Sequence, residues 1–298
     1  MDYELMLFDR ISKIQSINEQ YDLESNGYIS FSGGKDSVVL SRLIDIALPN
    51  NNIPRVYVNT GMEYTKMVKF VKRLSQLDNR IIIKNNEMNI PRTLKHYGYP
   101  FKSKSFSSLV LTYYNMKSKG LDVCDGYKKR IQGDDDSYDV IPKIVRYIFD
   151  ENAPIKISDK CCIKFKERIL KKFEKDRKIS ITGIRKDEGG RRSSVKGCLT
   201  RNGTKFHPLL VVSDDWEDEF IKRENLELCE LYYPPYNFKR TGCKGCPFNR
   251  NIQKDLEVLH DKLPNEYYQC IHLWKPVYDE YIRVGYRLKY YPHLKEVK

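Results

Sequence analysis

The 298-residue sequence has no long hydrophobic run. No apolar stretch approaches the roughly 20 residues that a helix needs to cross a bilayer. The first residues, MDYELMLFDRISKIQ, contain no apolar core followed by small residues, so a secretory signal is not expected. Internal repeats and low-complexity tracts are also absent from the sequence. We therefore expect a cytoplasmic protein that has no membrane partner.

Acidic residues are fewer than basic ones, with 40 Asp and Glu against 53 Lys and Arg. The resulting formal net charge is +13. A basic chain of this kind indicates an anionic partner, either a phosphate-bearing small molecule or nucleic acid. A solvated basic surface that binds no such partner is the alternative interpretation.

The chain lacks the secretory context in which cysteines form a disulfide framework, although it contains eight of them. The cytosol keeps thiols reduced, so we expect metal binding or redox chemistry instead. Cys124, Cys229 and Cys270 are expected to be small buried hydrophobic residues.

Strand-like and helix-like segments alternate along the first part of the chain. GYISF predicts a strand before the helical DSVVLSRLIDIAL, and RVYVNTG, YTKMVKFVKRLSQL and RIIIKN repeat the pattern. The run KISITGIR restores it from residue 178. This rhythm predicts an α/β fold, with a parallel sheet, helices on both faces and ligand sites beyond the carboxyl ends of the strands.

Three regions are expected along the chain. Residues 1–25 form a lead-in helix, residues 26–225 a nucleotide-binding α/β domain, and residues 226–298 a mostly helical region with a C-x-x-C motif. A helical insertion is expected within the second region, at about 95–150. The lead-in helix is predicted from apolar residues at helical spacing, namely Leu5, Phe8, Ile11 and Ile14.

A glycine loop, SGGKDS at residues 32–37, lies between the first strand and its helix. The two glycines let the backbone approach a ligand closely, and the helix start directs N–H groups and a positive dipole end at one point. Lys35 adds a positive charge, and the hydroxyls of Ser32 and Ser37 can donate hydrogen bonds. The loop therefore suits phosphate or pyrophosphate, and a simple glycine turn is the alternative. Its adjacent glycines depart from the Walker A spacing, which counts against γ-phosphate transfer.

The loop resembles the signature of the PP-loop ATP pyrophosphatases, also called adenine nucleotide α-hydrolases. VNTGMEY, ITGIRKDEGGRRS and KFHPLL extend the resemblance to the phosphoadenosine phosphosulfate (PAPS) reductase family, from about residue 28 to 250. It implies an α-hydrolase-like fold and a site for ATP or an adenylated sulfate nucleotide. The residues it implies for nucleotide binding are Ser32, Gly33, Gly34, Lys35, Asp36, Ser37, Thr60, Gly61, Glu63, Gly183, Arg185, Glu188, Arg191 and Arg192.

The resemblance also implies roles within the arginine segment. Arg185, with Arg191 or Arg192, would contact anionic groups, because guanidinium forks match phosphate and sulfate oxygens. Asp187 and Glu188 would orient these arginines or help to hold Mg²⁺. On its own, the segment would be interpreted as a charged surface loop. The catalytic residues expected from this set are Lys35, Asp36, Arg185 and, after the arginines, Cys198.

Four cysteines form two pairs, the adjacent Cys161 and Cys162 and the CKGC motif of Cys243 and Cys246. Four thiolates suit an iron–sulfur cluster or tetrahedral zinc, and two unrelated buried pairs are the alternative. Adjacent cysteines are unusual for zinc, whose structural sites prefer two to four intervening residues. The pattern resembles the iron–sulfur branch of the sulfonucleotide reductases, which implies a [4Fe-4S] cluster on all four thiolates.

No cysteine follows Cys270, whereas the reductases that this chain resembles use a nucleophilic cysteine in their C-terminal tail. We therefore expect sulfur transfer, with DNA or tRNA as the acceptor that is thiolated. A cysteine desulfurase or a thiol reductant would then supply sulfur or electrons. One alternative is an adenylyl-sulfate or phosphoadenylyl-sulfate reductase of sulfate assimilation. Another is a non-catalytic module that binds nucleotide or nucleic acid and carries a structural cluster.

Overall fold

The computed structural model describes residues 2–133, 141–150, 153–189 and 192–297. None of the helices in these ranges is long and apolar enough to cross a membrane. The chain forms two compact units, one of Met1–Asn86 with Lys166–Gly242 and the other of Glu87–Phe165 with Cys243–Lys298. The domain boundaries expected from the sequence stay a prediction.

The first unit is built on a five-stranded parallel sheet, which confirms the predicted α/β class. In chain order the strands are β1 Gly27–Phe31, β2 Arg55–Asn59, β3 Ile81–Asn85, β4 Ile179–Ile181 and β5 Lys205–Phe206. They lie in the order β3-β2-β1-β4-β5, so the direction of winding reverses between β1 and β4. In open parallel sheets, ligands bind beyond the carboxyl ends of the strands at such a reversal.

Helices occupy much of both units. In chain order the α-helices are α1 Tyr3–Tyr21, α2 Leu23–Asn26, α3 Lys35–Ala47, α4 Thr65–Leu77, α5 Ile90–Tyr97, α6 Lys104–Ser118, α7 Asp125–Gln132, α8 Lys160–Cys162, α9 Arg168–Phe173, α10 Asp214–Arg223, α11 Ile252–Lys262 and α12 Pro264–Arg283. The 3₁₀ helices are Lys143–Phe149, Lys186–Glu188, Glu230–Tyr232 and Pro292–Val297, and a π-helical turn spans Ile163–Glu167. The described part of the insertion predicted at about 95–150 is therefore largely helical, with short loops between its helices.

Strands β1 and β4 are short, largely apolar and mostly buried, whereas β3 is only partly buried. Tyr28 and Ile29 of β1 have no exposed surface, and Ile29 is aligned with Arg55 of β2 on one side and Ile181 of β4 on the other. Strand β5 was not predicted, since two residues are too few to show the alternation of a strand. It is held by pairing with β4, a tertiary contact with no local sequence signal.

The face predicted for α1 was wrong. Leu5 and Phe8 are 58% and 68% exposed, whereas α1 buries Met6, Arg10, Ile14 and Ile17. Both sets fit helical spacing and share Ile14, so periodicity alone does not choose between them. The observed face includes Arg10, whose guanidinium donates to the carbonyl of Pro208 at 3.0 Å. A buried cation is acceptable there because its donors have partners.

Candidate functional site

The glycine loop at residues 32–37 is ordered by its own hydroxyl groups. Ser32 Oγ lies 3.1 Å from Ser37 Oγ, and Ser37 Oγ donates to the carbonyl of Gly34 at 2.8 Å. Gly34 is the N-cap of α3 and offers no side chain to the first helical turn. The N–H groups at the start of a 13-residue helix therefore have no side-chain cap from Gly34, which is the setting in which helices bind anions.

Both glycines of the loop are needed for space. Gly33 has a φ of +72°, and a Cβ there would lie 2.6 Å from Met67 Sδ and from Val71 Cγ2 of α4. A Cβ on Gly34 would lie 3.1 Å from Tyr232 Oη. Any side chain at either position would push the loop away from its neighbours.

The segment after β4 meets this loop directly. A Cβ on Gly183 would lie 2.8 Å from the backbone oxygen of Asp36, so only glycine permits this approach. Arg185 is 4% exposed, and its Nε donates to Asp36 Oδ1 at 2.7 Å. The structure thus brings loop 32–37, Gly183 and Arg185 together at the carboxyl ends of β1 and β4.

Acidic residues of α10 complete the cluster, and sequence reasoning missed them. Glu217 Oε2 lies 3.0 Å from both Lys35 Nζ and Arg185 Nη2. Lys35 forms a second ion pair with Asp218 at 3.0 Å, and Arg185 forms one with Asp214 at 2.7 Å. The signal available in the sequence is the acidic run SDDWEDEF. It follows that Lys35 and Arg185 are neutralised by carboxylates in the structure as it stands.

The ion pairs change the proton affinities of this cluster. Burial opposes the charged form of Lys35, but the carboxylates of Glu217 and Asp218 raise its pKa. Burial, followed by the negative charge of Asp36, raises the pKa of Glu217 to about 7 despite its two cationic neighbours. The guanidinium of Arg185 holds the pKa of Asp214 below its usual value. Glu217 is therefore the carboxyl group of this cluster that is closest to titrating at neutral pH.

Tyr232 lies over the first helical turn of the loop. The backbone N–H of Lys35 donates to Tyr232 Oη at 3.1 Å, and that hydroxyl lies 2.7 Å from Thr241 Oγ1. The tyrosine thus takes the hydrogen bond that an anion at the helix start would accept. Sequence reasoning did not identify Tyr232, because it lies 197 positions from Lys35 along the chain.

Arg192, the other described arginine of the predicted site, pairs with Glu188. This carboxylate contacts Arg192 and lies 3.3 Å from Arg240, and it also accepts from the backbone N–H of Arg185 at 3.2 Å. Glu188 therefore joins the arginine segment to Arg240, which the sequence did not single out. Arg191 lies outside the described residues.

The predicted motif after β2 forms a turn of its own. Glu63 accepts from the backbone N–H of Thr60 at 2.9 Å and from its hydroxyl at 2.8 Å. Gly61 has a φ of +84°, which the turn requires. Since β2 lies next to β1, this turn follows the neighbouring strand at the same edge of the sheet.

Cys198 is half-buried beside a buried cation. Its Sγ lies 3.4 Å from Nη1 of Arg10, and its carbonyl accepts from the backbone N–H of His207 at 2.6 Å. His207 Nδ1 in turn lies 2.7 Å from Thr182 Oγ1, just after β4. The thiol is therefore tied to α1 and to the end of β4.

The four paired cysteines all lie in the second unit. Cys161 and Cys162 have their sulfur atoms 3.9 Å apart on α8. The hydrogen bond with Cys162, burial, and the nearby Cys246 and Cys243 all raise the pKa of Cys161, so the two pairs are within electrostatic reach of each other. In the part of the chain that the structure describes, no group of three or more His, Cys, Asp or Glu side chains is already arranged as a metal site.

Helix α12 fixes the loop that carries the CKGC motif. Three of its aromatic side chains donate to backbone carbonyls of the loop: Trp274 to Lys244 at 3.1 Å, Tyr278 to Gly245, and Tyr281 to Pro247 at 2.9 Å. Gly245 has a φ of +62°, and a Cβ there would lie 2.6 Å from Tyr278 Oη and 2.8 Å from Cys270 Sγ. The loop is therefore held rigidly, as a ligand loop should be.

Two lysines lie close in sequence to the paired cysteines, Lys164 two positions after Cys162 and Lys244 between Cys243 and Cys246. Lys164 Nζ lies 4.4 Å from the ring centroid of Tyr97, and Lys244 Nζ lies 2.5 Å from Gln269 Oε1.

Comparison with protein families identifies one matching model. The model described as phosphoadenosine phosphosulfate reductase domain matches residues 26–119 and 125–249. These ranges contain the glycine loop, the arginine segment and all four paired cysteines. A search of curated proteins gave no match.

Solved structures with a similar chain path are distant in sequence. A phosphoadenylyl-sulfate reductase from Candida auris is 11% identical, with a TM-score of 0.42 over 78% of this chain and 88% of its own. A U34-tRNA thiolase from Methanococcus maripaludis, solved with its [4Fe-4S] cluster, is 15% identical, with a TM-score of 0.40. The match covers 92% of this chain and 79% of the thiolase. An FMN adenylyltransferase from Candida glabrata is 16% identical, with a TM-score of 0.45. The match covers 82% of this chain but only 64% of the adenylyltransferase.

Proposed function

The chain belongs to the phosphoadenosine phosphosulfate reductase family, and on that premise we propose that loop 32–37 binds the phosphates of ATP or of an adenylated sulfate nucleotide. The observation that carries this proposal is the meeting of two loops at the carboxyl ends of β1 and β4. Gly183 approaches the backbone of Asp36 too closely for any side chain, and Arg185 pairs with the same residue. This is the point of the sheet at which ligands of open α/β folds bind.

Each part of the loop has a task in this proposal. The N–H groups at the start of α3, which Gly34 leaves without a side-chain cap, and the hydroxyls of Ser32 and Ser37 donate hydrogen bonds to phosphate oxygens. Lys35 and Arg185 supply two positive charges once the nucleotide replaces their carboxylate partners. Tyr232 Oη leaves the N–H of Lys35 or turns to contact the phosphate itself.

Calorimetric titration with ATP tests the nucleotide site. We expect Lys35→Gln to weaken ATP binding at least about tenfold, since a charge-assisted hydrogen bond contributes about 1.5–3 kcal/mol. The matched control is Lys72→Gln, which removes an exposed lysine of α4 and should leave the affinity unchanged. Equal affinities in all three proteins would overturn the loop as the site.

We further propose that Cys161, Cys162, Cys243 and Cys246 hold a [4Fe-4S] cluster. The chemistry of the donor set fits: the four residues are cysteines of one compact unit, and the two pairs lie within electrostatic reach. When bound, such a cluster would supply an electron or sulfur-handling centre. Within the second unit, α12 supports the CKGC loop through the three hydrogen bonds of its aromatic residues.

Anaerobic purification tests the cluster directly. We expect a brown protein with about four irons and four sulfides per chain, lost on Cys162→Ser or Cys246→Ser. Cys124→Ser is the matched control, because Cys124 is an exposed cysteine outside the quartet. A colourless protein that contains one zinc would overturn the cluster.

The reaction that we propose is sulfur transfer to a nucleic acid. An oxygen of the acceptor attacks the α-phosphate of ATP, pyrophosphate leaves, and a sulfur nucleophile then displaces AMP. The net charge of +13 supports a polyanionic acceptor, since a small nucleotide needs only a local basic pocket. Incubation with ATP, labelled sulfide and either tRNA or DNA should give labelled nucleic acid together with pyrophosphate. Pyrophosphate release without label in either acceptor would contradict this choice.

One observation favours a reductase as a second candidate. The Sγ of Cys198 lies 3.4 Å from Nη1 of the buried guanidinium of Arg10, so this thiol has a cationic neighbour. In this alternative Cys198 would replace the tail cysteine of the reductases. Sulfite release from an adenylated sulfate with a dithiol, abolished by Cys198→Ser and retained by Cys124→Ser, would support it.

A further inference from the structure

Glu217 is the most deeply buried carboxylate of the cluster around Lys35. Its side chain has no exposed surface, whereas that of Asp218, on the same lysine at the same 3.0 Å, is 68% exposed. One oxygen of Glu217, Oε2, contacts both Lys35 and Arg185 at 3.0 Å. A single buried carboxylate thus holds the two cations on which the proposed nucleotide site depends.

The charges around this carboxylate do not suit an anionic ligand as they stand. Among the described residues, those that face Glu217 are Lys35 and Asp36 of α3, Arg185 after β4, and Asp214 and Asp218 of its own helix α10. With Glu217 ionised, these groups include four carboxylates and two cations, and the next cations, Arg192 and Arg240, act on Asp36 and Asp214. A nucleotide phosphate would add more negative charge at the same place, which is unfavourable unless a carboxylate is neutralised.

We infer that Glu217 is a positioning residue that takes up a proton when a nucleotide phosphate binds to Lys35 and Arg185. This inference rests on the proposed function. In the free protein the ionised carboxylate orients both cations toward the loop. When the phosphate takes over these cations, Glu217 loses its opposite charges, gains a negative neighbour and binds a proton from solvent. The neutral carboxylic acid then stays buried without an unpaired charge.

The burial of Glu217 supports this exchange. Burial and the charge of Asp36 already raise its pKa to about 7 in the absence of ligand. The pKa of Lys35 is raised and the pKa of Asp214 is lowered, so both groups keep their charge around neutral pH. A further upward shift of Glu217 on phosphate binding would carry its pKa across the physiological range.

The test is calorimetric titration of metal-free ATP, with a chelator present, in buffers of different ionisation enthalpy at about pH 7.5. We expect the wild type to take up roughly half a proton or more per bound ATP in excess of the number that Glu217→Gln takes up. This variant keeps the shape of the side chain but cannot titrate. The titration of ATP itself cancels in this difference. Glu219→Gln is the matched control: it removes an exposed carboxylate of α10 that pairs with Arg223, and it should behave as the wild type.

The outcomes separate this inference from the proposed function. Equal proton uptake in the wild type and Glu217→Gln, with ATP bound in both, would overturn the role of Glu217 alone. Absence of ATP binding in all three proteins would overturn the proposed function and this inference with it. A second measurement needs no variant: the wild-type affinity for ATP should fall more steeply between about pH 7 and about pH 8.5 than the titration of ATP accounts for. An affinity that follows the titration of ATP alone would overturn the inference.

Discussion

Substitution of Gly183 by alanine gives a sharp test of how the two loops meet. A Cβ at this position would lie 2.8 Å from the oxygen, 3.0 Å from the carbon and 3.1 Å from the Cβ of Asp36. Two of these three atoms are backbone at the start of α3, which cannot rotate away. The loop must therefore retreat by about half an ångström, and overpacking of this kind costs about 1–3 kcal/mol.

The assay compares the free energy of unfolding in urea of Gly183→Ala with that of Gly197→Ala. A Cβ on Gly197 would meet only the carbonyl of Leu199, at an ordinary 3.6 Å, so this control should be unchanged or up to about 1 kcal/mol more stable. In Gly183→Ala the displaced loop should also bind ATP at least about tenfold more weakly. If both variants are equally stable and bind ATP equally well, the close approach of Gly183 does not shape the loop.

Three further predictions follow from the same geometry. Tyr232→Phe should lower the free energy of unfolding by about 0.5–1.5 kcal/mol, because its hydrogen bonds to the N–H of Lys35 and to Thr241 are lost. Tyr233→Phe, at an exposed tyrosine, should leave the free energy of unfolding unchanged. Equal losses of both variants in urea unfolding would contradict the prediction. Gly245→Ala should destabilise the protein and release iron from the anaerobically purified chain. Gly242→Ala should retain the iron, because a Cβ at that position would meet no atom within 4 Å. Full iron retention by Gly245→Ala would count against a rigid CKGC loop. The pKa of Glu217 is about 7 in the folded chain, above the ordinary 4.5, so the folded state binds a proton that the unfolded state has lost. The contribution of Glu217 to the free energy of unfolding should therefore fall by up to about 3 kcal/mol as pH rises from about 4.5 to about 7. Glu217→Gln should remove that fall in urea unfolding across this range, and an unchanged dependence on pH would refute the prediction.

Much of the fold was predictable because its signals are local. Strands β1 to β3 are apolar runs between helices, and the glycine loop at residues 32–37 stands between a strand and a helix in the sequence itself. The parallel sheet follows from this alternation, and the helical insertion was predicted where the alternation stops. Strand β5 escaped prediction, since pairing with β4 defines it and its two residues show no period.

The carboxylates of the site were not predictable for a similar reason. Glu217 and Lys35 are far apart in sequence, and an acidic helix start is ordinarily read as a favourable charge at the positive end of a helix. Tyr232 likewise reaches the loop only through tertiary folding. The face of α1 was predicted wrongly because apolar spacing cannot anticipate that Arg10 is buried by hydrogen bonds from its guanidinium.

The central claim is that loop 32–37 and Arg185 hold the phosphates of an adenine nucleotide. A crystal structure with ATP, or with a non-hydrolysable analogue, tests it most directly. We expect phosphate oxygens about 3 Å from the N–H groups at the start of α3 and from the guanidinium of Arg185, with Tyr232 Oη no longer bonded to the N–H of Lys35. A nucleotide bound away from this loop, or bound while Tyr232 keeps that hydrogen bond, would refute this binding site.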